Sequence, residues 1–173
     1  MPLLATPGPP PVIGPPTDPR RAVSIVTGGS SRAGREVARG LASWAWAIVL
    51  VYLEDQRHAE ATVAEIIAAE GTTVAVRADL ADDLDVKRLF AESIAAFGGV
   101  DVVVHLTTDG ASLLYQHAAR RLRQGGAIVS TSAAEEITPA VARLVRERGI
   151  TVGSAPPGAV LAFLDRWRRR AVG

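Results

Sequence analysis

Short apolar runs alternate with longer amphipathic segments along most of this 173-residue chain. The apolar runs are rich in Val and Ile, and they predict six strands, at residues 23–27, 47–52, 73–77, 100–105, 126–131 and 150–154. Continuous apolar runs of this kind are typical of strands buried on both faces of a parallel sheet.

The segments between these runs carry apolar residues at helical spacing, most clearly from Val86 to Phe97. They predict helices at residues 34–44, 57–70, 83–97, 111–123, 139–148 and 159–170. Asp82 or Asp83 would cap the third helix, and Thr138 before Pro139 marks the start of the fifth. Six βα units predict an α/β fold, a three-layer doubly wound parallel sheet of the Rossmann type with strand order 3-2-1-4-5-6.

Composition divides the chain into two unequal parts. Residues 1–20 hold eight of the eleven prolines, so we expect an extended or disordered leader there and a single domain over residues 21–173. A net charge near +1 argues against a nucleic-acid-binding surface, and the arginines at 166–170 are interpreted as charge at a helix C-terminus. No cysteine, signal peptide or membrane-length apolar stretch is present, so we expect a cytoplasmic protein that is not bound to membranes and holds no metal.

The first predicted strand runs into a glycine-rich turn that opens a helix, over residues 23–34. Such a turn aims backbone N–H groups and the positive end of the helix at one point, which suits a nucleotide pyrophosphate. Placed after the first of six βα units, the turn indicates a dinucleotide site.

Residues 27–34, Thr-Gly-Gly-Ser-Ser-Arg-Ala-Gly, resemble the Thr-Gly-x-x-x-Gly-x-Gly turn of the short-chain dehydrogenase/reductase family. The likeness continues through Arg-Ala-Asp-Leu at 77–80, the approach to the fourth strand at 98–104, the fifth strand at 126–132, and the sixth strand at 150–152 with Pro157 and Gly158. The chain resembles that family over about residues 22–160.

The resemblance implies binding of NAD or NADP. By position, the cofactor residues would be Gly28, Ser30, Ser31, Arg32, Ala33, Gly34, Tyr52, Asp79, Leu80, Pro157 and Gly158. Glu54 and Asp55 follow Tyr52 and would repel a 2′-phosphate, which favours NAD. Arg32 replaces the middle glycine of the family turn, and its side chain would either crowd the pyrophosphate or pair with a phosphate.

The catalytic part of the family pattern is missing. The position of the catalytic serine falls on Ala133, and neither Tyr52 nor Tyr115 is followed four residues later by lysine. The only lysine, Lys87, lies in the middle of a predicted helix. The family's usual hydride-transfer mechanism is therefore excluded, and short connections around the fifth strand indicate a truncated member with a degenerate active site.

Other polar residues follow the predicted strands four and five, where a doubly wound sheet binds its ligands. His105 is the candidate general acid or base, since its ordinary pKa is about 6.5. Asp109 would orient His105, and Ser132 or Tyr115 would contact a substrate hydroxyl or carbonyl; Glu135 and Glu136 lie close by in sequence.

Three classes of function remain open at this point. The first is an oxidoreductase-related enzyme that binds NAD(P) without the usual Ser, Tyr and Lys. The second is a non-redox cyclase, isomerase or dehydratase of small-molecule biosynthesis that uses the same crevice, and the third is a non-catalytic binding protein. In each class the partner is a small molecule, and the resemblance adds a homodimer through the helices that flank strand five.

Overall fold

Six parallel strands form the centre of the domain in a computed structural model that describes residues 21–132 and 137–171. The predictions made for the leader at residues 1–20, and for Ala133, Glu135 and Glu136, lie outside the described residues. The strands are β1 (Val23–Val26), β2 (Ala47–Tyr52), β3 (Thr72–Arg77), β4 (Val102–His105), β5 (Ala127–Ser130) and β6 (Thr151–Ser154).

In the described residues, five helices connect these strands and a sixth follows β6, and each begins and ends within two residues of the predicted range. They are α1 (Arg32–Ser43), α2 (Gln56–Ala68), α3 (Asp83–Phe97), α4 (Ala111–Arg121), α5 (Pro139–Glu147) and α6 (Val160–Ala171), with a 3₁₀ turn at Pro157–Ala159 before the last. None of the helices in the described part of the chain is long and apolar enough to cross a membrane.

The strand order is β3-β2-β1-β4-β5-β6, and every neighbouring pair is parallel. This confirms the predicted Rossmann-like fold. The order reverses between β1 and β4, which are paired at Ser24 with Val102 and at Val26 with Val104. Loops that leave the two strands in opposite directions open a crevice at their C-terminal ends, and ligands bind there in sheets of this type.

Helices cover both faces of the sheet because successive strand residues point to opposite sides. Val23 and Ile25 pack into a cluster with α3, α4 and α5, whereas Val26 packs with α1, α2 and α6. Burial of both faces explains why the strands are apolar without alternation.

Local hydrogen bonds fix where the helices start. The Asp82 side chain accepts from the N–H groups of Leu84 and Asp85, at 2.8 and 3.1 Å, and caps α3. Thr138 caps α5 by accepting from Val141 N at 3.3 Å, with Pro139 as the first helical residue. Both starts agree with the sequence prediction.

Candidate functional site

The glycine turn between β1 and α1 is the best-defined part of the site. Gly28 has a φ of +69°, a left-handed conformation that glycine adopts without strain. Ser31 caps α1: its hydroxyl accepts from Gly34 N at 3.0 Å and donates to the Gly28 carbonyl oxygen at 2.7 Å. A Cβ on Gly34 would lie 2.1 Å from that same oxygen, so the helix approaches the turn more closely than any other residue type allows.

Arg32, at the position of the middle glycine of the family turn, lies on the solvent side of α1. It is the first residue of α1, and its Nε donates to Glu36 Oε1 at 2.9 Å on the outer side of the helix. The side chain is 92% exposed, and the bond to Glu36 raises the pKa of the guanidinium. The turn therefore accommodates Arg32 because the side chain points into solvent.

A cleft of about 360 Å³ opens at the C-terminal ends of β1, β2, β3 and β4, next to this turn. We call it the switch-point cleft because it lies where the strand order reverses. Its lining residues come from the end of β2 and from the four loops that follow those strands: Gly28, Ser30, Val51, Tyr52, Leu53, Glu54, Ala78, Asp79, Leu80, Ala81, Thr107 and Asp109. The structure thus brings together six of the predicted site residues, namely Gly28, Ser30, Tyr52, Asp79, Leu80 and Asp109.

Asp79 and Leu80 form one wall of the switch-point cleft. Asp79 Oδ1 accepts from Ala81 N at 2.9 Å, and Asp79 N donates to Asp85 Oδ2 at 2.9 Å. The latter bond, together with Arg88, holds the pKa of Asp85 below its ordinary value. These contacts fix the Asp79 backbone and one carboxylate oxygen, Oδ1. No described hydrogen bond involves the other oxygen, Oδ2.

The start of α4 packs against the same wall of the switch-point cleft, at Leu80. Gly110 precedes α4 with a φ of +78°, and a Cβ there would lie 2.3 Å from Leu80 Cβ. Glycine at this position therefore lets the loop after β4, which carries Thr107 and Asp109, pack onto the loop after β3.

His105, the candidate general acid or base of the sequence analysis, is buried. Its side chain has no exposed surface, and burial lowers its pKa to about 4. Nδ1 lies 3.0 Å from Thr27 Oγ1, and among the described residues Nε2 has no hydrogen-bond partner. In this conformation the imidazole contacts no solvent and does not line the switch-point cleft, so it is not placed to exchange a proton with a ligand there.

Of the other predicted catalytic residues, Tyr115 packs against His105 in the core, whereas Asp109 and Ser132 form no described hydrogen bond with it. Asp109 raises the His105 pKa by less than burial lowers it. No hydrogen bond joins the two residues in the described structure. Tyr115 is 3% exposed in the core, with its ring in edge-to-face contact with the His105 ring at 6.0 Å between centroids. Ser132 lies beyond β5, with its N–H bonded to Ser130 Oγ and its carbonyl accepting from Ser154 Oγ.

Pro157 and Gly158 are exposed in the 3₁₀ turn after β6, the edge strand of the sheet, and this turn contacts α1. They line no part of the switch-point cleft. Ser31, Ala33 and Gly34 likewise lie outside its lining, and shape the turn beside it.

Sequence reasoning missed the role of Thr27. Its hydroxyl accepts from Leu106 N at 2.9 Å and contacts His105 Nδ1, so it ties the loop after β1 to the loop after β4. The position of Thr27 at the head of the glycine motif was the available signal. Leu53 was also missed as a lining residue, although it directly follows β2 on the sheet edge that binds ligands.

Comparison with known proteins places this geometry in a family. The family model for short chain dehydrogenases matches residues 22–120, more than half of the chain. Hydroxynaphthalene reductase-like protein Arp2 of Metarhizium majus is 28% identical over an alignment that covers 80% of this chain and 68% of the relative. A 3-oxoacyl-(acyl-carrier-protein) reductase of Synechocystis is 36% identical over 83 residues, which cover 48% of this chain and 34% of that enzyme.

Solved structures agree with the sequence relatives. A short chain dehydrogenase from Burkholderia cenocepacia, crystallised in complex with NADP, is similar with a TM-score of 0.66 and 27% identity. The match covers 78% of this chain and 73% of that one. By the family match over residues 22–120 and by its fold, the chain belongs to the short-chain dehydrogenase/reductase family.

Proposed function

We propose that this protein, an oxidoreductase-related member of its family, binds NAD⁺ or NADH with the adenosine half in the switch-point cleft. The observation that carries the proposal is the cleft itself, which joins a glycine turn, a helix N-terminus and the ends of four parallel strands at the reversal of strand order. That arrangement is how open α/β sheets hold a dinucleotide.

The turn fits a pyrophosphate. Gly28 adopts the left-handed conformation of the turn, Gly34 lets α1 approach it closely, and the Ser31 hydroxyl caps Gly34 N. The N–H groups of Arg32 and Ala33 are the remaining donors of the first helical turn, and they add to the positive end of the helix dipole. Because the Arg32 side chain points away, it does not obstruct this approach.

The opposite wall fits an adenine ring. Leu80 offers an apolar surface, and the second carboxylate oxygen of Asp79 can accept a hydrogen bond from the exocyclic amine of adenine. The two residues are held by the bonds from Ala81 N to Asp79 and from Asp79 N to Asp85. The family resemblance assigns the same contact to Asp79.

The charge of the cleft favours NAD over NADP. Three carboxylates line it, from Glu54, Asp79 and Asp109, and none of the described lining residues is Lys or Arg. A 2′-phosphate about 6 Å from one such carboxylate would lose about 0.7 kcal/mol in water for each pair of unit charges, and the phosphate carries about two charges at neutral pH. We therefore expect NAD to bind about tenfold more tightly than NADP, although a structural relative was crystallised with NADP.

The proposal concerns binding and does not extend to a hydride-transfer step. The Tyr-x-x-x-Lys pair is absent from the sequence, and His105 and Tyr115 are buried in the core. No described contact favours the non-redox alternative in the same crevice. A small-molecule partner, a cytoplasmic location and a homodimer stay predictions.

Calorimetric titration with NAD⁺, NADH, NADP⁺ and NADPH tests this function. We expect dissociation constants in the micromolar to low millimolar range for the NAD pair, and weaker binding for Asp79→Ala. Asp82→Ala is a matched control, because this aspartate, like Asp79, accepts from a backbone N–H group two residues away but lies outside the cleft. Absence of binding at millimolar NAD⁺ and NADH, or equal loss in both variants, would refute the proposal.

A further inference from the structure

One face of α6 lines a surface cleft of about 280 Å³ that the dinucleotide proposal does not use. Four lining residues recur at helical spacing and share that face: Phe163, Arg166, Trp167 and Arg170. Thr151, the first residue of β6, and Gly125, just before β5, complete the lining on the side of the sheet. We call this the α6 cleft; it lies at the N-terminal ends of these strands and shares no lining residue with the switch-point cleft.

The two arginines of the α6 cleft differ from their neighbours in the helix. Arg168 and Arg169 both donate to Asp165, at 2.8 Å each. In the described part of the chain, no ion pair or hydrogen bond involves the side chain of Arg166 or Arg170, and both residues are exposed. The cleft therefore presents two guanidinium groups whose hydrogen-bond donors are available to a ligand.

These two positive charges also call for a negative partner. Arg166 and Arg170 lie one helical turn apart, at a spacing where like charges repel each other. The helix dipole favours cations in the last turn, which includes Arg170 but not Arg166. A ligand that brings carboxylates would relieve the repulsion and form charge-assisted hydrogen bonds with both side chains.

The floor of the α6 cleft is apolar and reaches the edge of the sheet. Phe163 and Trp167 are partly buried and pack against the core, so each ring keeps some exposed surface. A Cβ on Gly153 would lie 2.3 Å from Phe163 Cε2, so glycine in the middle of β6 lets this ring lie directly on the strand. An apolar side chain that lies beside β6 would therefore contact the Phe163 ring.

The strand next to the cleft has an open edge. β6 is the last strand of the described sheet and pairs there with β5 alone. The N–H of Thr151 donates towards β5, to Gly126 O at 2.9 Å. The backbone groups of Val152 face the other way, because neighbouring residues of a strand direct their N–H and C=O to opposite sides, and no described residue bonds to them. Such an edge is a template for pairing with another extended chain.

We propose that the edge of β6 and the α6 cleft together bind an extended acidic segment of a partner protein. A segment that pairs with β6 directs alternate side chains towards α6, about 6.8 Å apart. Arg166 and Arg170 are about 6 Å apart along the helix axis, so two acidic residues separated by one residue reach both. An apolar residue at the next alternate position packs on Phe163. The recognised pattern is apolar-x-acidic-x-acidic.

This occupant uses every feature of the surface, whereas two others do not. A second copy paired edge to edge about a two-fold axis would bring Arg166 and Arg170 of both chains together, and like charges across an interface oppose association. A nucleic acid would pair with the arginines but has no strand to add to β6, and the net charge of the chain is only +1. An acidic peptide strand matches the charge, the apolar floor and the backbone edge.

Synthetic peptides test the proposal on the full chain. The probe is acetyl-Thr-Val-Thr-Glu-Thr-Glu-Thr-amide, and its binding is measured by calorimetry. The first control peptide has Gln in place of both Glu residues. The second keeps the acidic side chains but carries N-methyl groups on alternate backbone nitrogens, which prevents strand pairing. Neither control alters the protein, so no folding defect can obscure the comparison.

Three variants of the protein locate the binding site. Arg166→Gln and Arg170→Gln remove one charge each from the α6 cleft. Arg169→Gln is the matched control, because Arg169 is an exposed arginine of the same helix that pairs with Asp165 and does not line this cleft. Affinity for NAD⁺ is measured in parallel and should be the same in all variants, since the two clefts are separate.

We expect the acidic peptide to bind, and both control peptides to bind at least about tenfold more weakly. Arg166→Gln and Arg170→Gln should each weaken binding about threefold, Arg169→Gln should not, and added salt should weaken it further. No binding of the acidic peptide at millimolar concentration, equal binding of either control peptide, or an equal loss with Arg169→Gln would overturn the proposal. Two other results would also overturn it: a concentration-dependent dimer that excludes the peptide, and a thymidine oligonucleotide that displaces it.

Discussion

Gly34→Ala is the substitution that tests the glycine turn most severely. Gly34 is the third residue of α1, where alanine would ordinarily raise helix stability by about 1 kcal/mol. Here a Cβ would lie 2.1 Å from the Gly28 carbonyl oxygen and 2.8 Å from its carbonyl carbon. Both are backbone atoms, so the clash is relieved only if the turn and the helix move apart.

The cost of that movement follows from the bonds that meet at the Gly28 oxygen. Ser31 N and Ser31 Oγ both donate to it, at 2.9 and 2.7 Å. Losing the two bonds costs about 2 kcal/mol, and residual overpacking adds about 1–3 kcal/mol. After the helix-propensity gain, we expect the free energy of unfolding to fall by about 2–4 kcal/mol.

Urea unfolding of wild type and variant measures this change. An unchanged m-value would show that both proteins expose the same amount of surface on unfolding, so that their free energies can be compared. Gly40→Ala is the matched control in the same helix, because its Cβ would meet the end of the Leu161 side chain, 2.3 Å from Cδ1. That side chain can rotate, so we expect a change within about 1 kcal/mol. A Gly34→Ala protein as stable as wild type, with normal NAD affinity, would refute the role assigned to this close approach.

Three further results are expected. Burial lowers the His105 pKa to about 4 in the folded chain, whereas the unfolded chain has the ordinary value of about 6.5. As the pH falls below about 6.5, the unfolded chain therefore binds a proton that the folded chain does not bind. Wild type should thus lose up to about 3 kcal/mol of unfolding free energy between pH 6.5 and 4 relative to His105→Gln; parallel urea-melt curves would contradict this. Asp82→Ala should lower the free energy of unfolding by about 1 kcal/mol through loss of the α3 cap, and no change would show that the cap contributes little. Glu54→Gln should strengthen NADP binding while NAD binding stays the same in calorimetry; an unchanged ratio would place the 2′ position elsewhere.

The strands, helices and their order were predictable because each depends on neighbours in sequence. Val23–Val26 and Val102–His105 are apolar runs, and the caps at Asp82 and Thr138 are local signals. The switch-point cleft followed from topology, since residues after β1 to β4 must meet at one edge. The family resemblance assigned Tyr52 and Asp79 to the cofactor site, and both line the cleft.

The side-chain environment at the end of β4 was not predictable in the same way. In a strand buried on both faces, the pattern does not tell an exposed last residue from a buried one, and His105 proved to be buried beneath Tyr115 and Thr27. The position of Arg32 depends on a partner one helical turn away, Glu36, which the glycine motif does not include. Trp167 packs edge to face on Trp46, and only the tertiary fold brings these two residues together.

A crystal structure of this protein grown with NAD⁺ tests the central claim most directly. The account predicts the adenine ring in the switch-point cleft, with its amine at the Asp79 carboxylate and its face against Leu80. The pyrophosphate should contact the N–H groups of Arg32 and Ala33 at the start of α1. A cleft without nucleotide in a crystal saturated with NAD⁺, or a dinucleotide bound at another surface, would contradict the account.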